Sequence, residues 1–86
     1  MTVERERSYR GISARAAIHY LTKVGGERVD DRTVVGDGWS ATVSAETVQI
    51  GPSLALTEVT VVFDGDETVL DPLIDAFSQK AIRAGG

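Results

Sequence analysis

Few residues of this 86-residue chain are equipped for chemistry, and most of them stand alone. His19 is the only histidine and there is no cysteine, so a zinc-type site finds no second imidazole and no thiolate. A Ser-His-Asp arrangement would have to draw on His19, and no G-x-S-x-G elbow accompanies it. His19 falls beside the apolar stripe of its helix rather than at the centre, which is where a solvated or capping side chain belongs. The run "FDGDETVLD" gathers Asp64, Asp66, Glu67 and Asp71, a set of oxygens that would suit a hard cation. The EF-hand spacing is absent, however, and carboxylates after a turn are what a helix N-terminus attracts through its dipole. "VDDRTVVGDG" reads in the same way, as a solvated loop entering a hairpin. The glycine pairs of "KVGGER" and "VVGDGWS" match neither G-x-G-x-x-G nor a P-loop. Trp39 reads as a core or rim aromatic rather than a ligand platform. The expectation is a non-enzymatic chain with no catalytic residue, no cofactor and no metal site.

What remains is the end, "QKAIRAGG", which closes on Gly85 and Gly86. One reading is conformational: Gly85 is the C′ residue of a last helix, with Lys80 and Arg83 in its final turn against the dipole. The other reading is chemical. Without Cβ atoms two glycines can extend into a narrow channel, and the terminal carbonyl stays open to attack.

The elements that must carry this end follow from periodicity. Residues 2–12 alternate Val3, Arg5, Arg7 and Tyr9 against Thr2, Glu4, Glu6 and Ser8, as in a frayed arm or a charged edge strand. Ser13 looks like an N-cap for a helix over about 13–24, with Ala14, Ala17, Ile18 and Leu21 at helical spacing and Gly25-Gly26 as its stop. The period then changes. Strands are expected at roughly 33–36 and 39–50 as a hairpin, then 54–63, forming an antiparallel meander. The last of these puts Val59, Val61 and Phe63 on one face and Thr60 and Val62 on the other. A closing helix over about 70–83 presents Leu70, Leu73, Ile74, Phe77 and Ala81, with Asp66 or Asp71 as cap and Pro72 in the first turn. The fold class is therefore α+β, in the order (β)-α-β-β-β-(β)-α, with one layer of helices on one sheet face. Phe77, Ile74, Leu73, Ile18, Leu21, Val59, Val61 and Phe63 are expected to share one core.

Composition narrows the partners. Thirteen acidic residues face nine basic ones, seven of them Arg, for a net charge of −4. A phosphate backbone needs clustered bases, so nucleic acid is not an expected partner. No apolar stretch is long enough to span a membrane and "MTVERERSYR" lacks the core of a signal peptide, so the expected location is cytoplasmic. The acidic, lysine-poor bias suits a salt-rich, halophilic cytoplasm.

Gly85-Gly86 resembles the tails of ubiquitin, of the small archaeal modifier proteins and of the molybdopterin-synthase small subunit. The resemblance implies that a ubiquitin-activating-type adenylating enzyme activates the carboxylate of Gly86, with Gly85 as its extended neighbour. It further implies transfer to protein lysines as an isopeptide, or conversion to a thiocarboxylate that supplies a sulfur-acceptor enzyme. Lys23 and Lys80 are the only internal acceptors should such a modifier form chains on itself. The resemblance covers the tail and the general character of the chain. Its element order looks more like one half of the TATA-binding-protein fold than a β-grasp. On this reading residues 1–84 are one α+β domain and 85–86 an exposed tail. The alternative is a small acidic interaction or dimerisation domain whose glycines are only a helix end. A homodimer through an exposed sheet face would bury surface that so small a domain leaves open.

Overall fold

A computed structural model describes residues 2–85, with side chains for 2–82. Its first helix, α1 (Ala14–Lys23), begins where Ser13 accepts a hydrogen bond from the Ala16 N–H at 3.0 Å. It ends where the Gly25 N–H donates to the Thr22 carbonyl (3.3 Å) and the Gly26 N–H to the Leu21 carbonyl (3.0 Å). That pair of bonds requires a left-handed residue between them, and Gly25 supplies it at φ +106°. The β-branched alternation that follows forms β3 (Thr33–Gly36), β4 (Trp39–Gly51) and β5 (Leu54–Asp66). Two further strands are β1 (Thr2–Arg10) and the short β2 (Glu27–Arg28), and the chain closes with α2 (Glu67–Gly85). The result is the expected α+β class: one antiparallel sheet in the order β1-β5-β4-β3-β2, with α1 and α2 packed on it.

All eight residues expected in the core are buried together. The register explains the fit: on the helix-facing side Ala41 stands opposite Phe63, Val43 opposite Val61 and Ala45 opposite Val59, so small and large side chains alternate. Phe63 and Phe77 meet edge to face at 5.8 Å, joining sheet to helix. Trp39 is a core residue, as anticipated. It lies so close over Gly36 that a Cβ there would fall 2.2 Å from the indole, and one at Gly26 would fall 2.7 Å from it.

Three features differ from the sequence-based expectation or sharpen it. Residues 2–10 form an edge strand paired along its whole length with β5, from Thr2 opposite Asp66 to Arg10 opposite Glu58. The final helix starts three residues early, at Glu67, because β5 runs straight into it through a cap. The Asp66 Oδ1 accepts from the Thr68 N–H (2.9 Å) and from the Thr68 hydroxyl (2.5 Å). Pro72 consequently lies in the second turn, where it has no N–H to offer the carbonyl four residues back. The helix continues through it because Leu70, Leu73, Ile74, Phe77 and Ala81 are all buried on the sheet.

Candidate functional site: the C-terminal end

α2 carries the chain to the last described residue, so the contacts that pin α2 set its course. Phe77 is fully buried and packs edge to face against Tyr9 of β1 at 5.2 Å. The Tyr9 hydroxyl shares a hydrogen bond of 2.7 Å with the Ser78 hydroxyl, across 69 residues of sequence. Ala81 is buried one turn later, and Ile82 beside it is 67% exposed. The described contacts therefore hold the helix on the sheet as far as Ala81.

Between β1 and this last stretch of α2 lies an open groove lined by Arg7, Tyr9, Arg10, Ser78, Ala81 and Ile82. Its floor is apolar and its rim carries two guanidiniums. Arg10 is engaged with Glu58 at 2.9 Å, and Arg7 donates to the Glu6 carbonyl at 2.8 Å. No sequence signal pointed to this groove, because the register of β1 against β5 brings its two halves together.

Gly86 and the exposure of Gly85 lie outside the described residues, while the backbone of α2 is helical through Gly85. Lys23 at the end of α1 and Lys80 on α2 are both exposed, so each amine is open to reaction. Neither lysine lines the groove between β1 and α2.

The other residues singled out in the sequence take structural roles. His19 is exposed beside the buried stripe of Ala17, Ile18 and Leu21, and its carbonyl accepts from the Thr22 hydroxyl at 2.6 Å. Of the carboxylates of "FDGDETVLD", Asp66 caps α2 and Glu67 lies 3.8 Å from the Arg5 guanidinium. The Thr68 hydroxyl, and then the Thr68 N–H, hold the Asp66 carboxyl below its ordinary value by bonding to the charged form. Asp30 is lowered in the same way, first by the Arg32 N–H, and its Oδ1 accepts from Arg32 and Thr33 at 2.8 Å each. Among the described residues no group of three or more His, Asp or Glu could hold a metal ion, and no polar or charged residue is buried. No helix of the described residues is long and apolar enough to cross a membrane.

Comparison with known proteins leaves the chain without a match among curated ones. A family model described as archaeal MoaD-like protein matches residues 5–86, from within β1 to the final glycine, and the chain belongs to that family.

Proposed function

We propose that this protein is a small sulfur carrier or ubiquitin-like modifier that acts through the carboxylate of Gly86. The observation that carries the reading is the family match, which runs to the diglycine end rather than stopping with the body. The chemistry begins with attack of the Gly86 carboxylate on the α-phosphate of ATP in a partner adenylating enzyme, which releases pyrophosphate and leaves a mixed anhydride. A nucleophile then attacks the activated carbonyl and AMP departs. If the nucleophile is a lysine amine, the product is an isopeptide; if it is the terminal sulfur of a partner's persulfide, an acyl disulfide forms. A second thiol of the partner then attacks its partner-side sulfur, which releases the thiocarboxylate and leaves a disulfide on the partner. The chain has no cysteine, so any sulfur it delivers must come from that partner.

The body's part is presentation. Phe77, Ser78 and Ala81 fix α2 on the sheet, and a partner's active site would have to draw the end of the chain away from that support. Glycine at 85 and 86 lets that end unwind and extend at little steric cost. Lys23 and Lys80 are the candidate acceptors for self-conjugation.

The test compares the full chain with a variant lacking Gly85 and Gly86. ATP–pyrophosphate exchange is measured with the cognate adenylating enzyme, and the carboxyl terminus is examined by mass spectrometry for oxygen-to-sulfur replacement or isopeptide adducts. Exchange and adducts are expected only with the full chain, at equal thermal midpoints. Equal behaviour of the two proteins would remove the modifier reading and leave the small interaction domain.

A further inference from the structure

The part of the sheet farthest from helical cover is also the part with no charge. Beyond Glu46 and Glu58, β4 and β5 continue as a two-stranded arm that neither helix covers, and residues 45–57 are exposed or half-buried on both faces. Its eleven residues from 47 to 57, "TVQIGPSLALT", form the longest uncharged run in a chain that is 26% charged. The arm draws the molecule out to 44 × 21 × 20 Å and raises its radius of gyration to 13.0 Å. A compact chain of this length would have about 12 Å. On the face away from the helices the arm displays Val48, Leu54 (57% exposed) and Leu56 (37%), and Ile50 (47%) stands at the irregularity before Gly51. A two-stranded ribbon alone is marginally stable in water, and natural sheets usually charge or shorten such an edge.

The open edge is specific. β3 pairs with β4 only from Trp39 to Thr42, and the last bond on that side runs from the Val43 N–H to the Arg32 carbonyl at 2.7 Å. Backbone groups of alternate residues point the same way along a strand. The N–H and C=O of Ala45, Thr47 and Gln49 therefore face the side that β3 leaves open, before the irregularity between Gln49 and Gly51.

We infer that this edge pairs with the same edge of a second copy, antiparallel about a two-fold axis through Thr47. The register follows from counting bonds and charges. With Thr47 opposite its own symmetry mate, Ala45 faces Gln49 of the other copy, and all three outward residues on each chain bond both ways. Shifting the axis to Glu46 leaves Gln49 unbonded and sets two glutamates face to face, which is destabilising. Shifting it to Val48 leaves Ala45 unbonded. Only the Thr47 register uses every free group and places Glu46 against an uncharged neighbour, Val48. The axis stands perpendicular to the sheet, so the apolar outer faces of both arms merge on one side of a ten-stranded sheet. An edge of five residues is small by the standards of permanent interfaces, so the dissociation constant of the dimer is micromolar or weaker.

Analytical ultracentrifugation of the full chain, from micromolar to millimolar concentration, measures the association. Hydrogen exchange at both extremes reads the register. The wild type should double in mass with concentration, with the Ala45, Thr47 and Gln49 amides gaining protection while those of Glu46 and Val48 are protected throughout. Thr47→Pro removes one central donor from each chain at a position that owes nothing to the β4–β5 ladder, so the monomer should fold while dimerisation weakens at least about thirtyfold. Val48→Glu and Val48→Lys cost the apolar patch alike, but set an acid or a base against Glu46 of the other copy. The glutamate variant should dimerise about tenfold more weakly at low salt. A wild type that stays monomeric at millimolar concentration overturns the inference. So does a dimer indifferent to Thr47→Pro, or one in which the sign of the charge at 48 is immaterial. The measurement reads mass and not acyl transfer, so it can fail or succeed whatever becomes of the proposed function.

Discussion

Phe77→Ala tests how α2 is held on the sheet. Phe77 is fully buried and meets two rings edge to face, Tyr9 at 5.2 Å on the edge strand β1 and Phe63 at 5.8 Å on β5. Truncation removes its contacts with both and leaves a cavity that a sheet and a proline-containing helix cannot readily close. Such a change costs about 3–5 kcal/mol. A chain of this size has roughly 4–13 kcal/mol in total. At about 4–8 °C per kcal/mol the melting midpoint should fall by at least about 12 °C. Urea unfolding followed by circular dichroism and by Trp39 fluorescence measures it, with the two probes expected to coincide and the slope m unchanged. Phe77→Leu, which keeps much of the volume, should lose well under half as much. A loss below about 1 kcal/mol for the alanine variant would refute the packing of α2 described above.

Two further outcomes are expected. Gly36→Ala puts a methyl 2.2 Å from the Trp39 indole, so the ring must move, and stability should fall by about 1–3 kcal/mol with a shifted Trp39 emission; unchanged emission and stability would show that the contact is slack. Asp66 is held below its ordinary 3.8, so its stabilising effect is complete above that value and is lost as the pH falls through the lower folded-state value. The difference in unfolding midpoint between wild type and Asp66→Ala should therefore shrink on acidification, and a difference constant down to pH 2 would contradict the cap.

Local patterns carried much of this structure. The stripe from Ala14 to Leu21 with its Ser13 cap and Gly25-Gly26 stop, and the alternation from Val59 to Phe63, each specify an element and its buried face from neighbours in the sequence alone. The start of α2 was less legible. Asp66 and Asp71 are both plausible caps in one dimension, and the choice falls to Asp66 because β5 ends there and hands Thr68 to it. β1 had no decisive signal either, since Thr, Glu and Arg in alternation suit a free arm as well as an edge.

The sequence by itself determined the fold class, the shared core and the absence of any thiol among the 86 residues. These rest on side-chain type and short-range period, which do not depend on what the chain meets later. Tertiary structure alone decided that β1 lies against β5, and so that Tyr9 reaches Ser78 and makes the groove beside the end of α2. It also decided that Trp39 packs over Gly36, and that β4 outruns β3 and exposes the edge at Ala45, Thr47 and Gln49. Each of these is a register or a length compared between distant strands. A strand's own residues fix which way it faces, but only its partner fixes how far along it is covered.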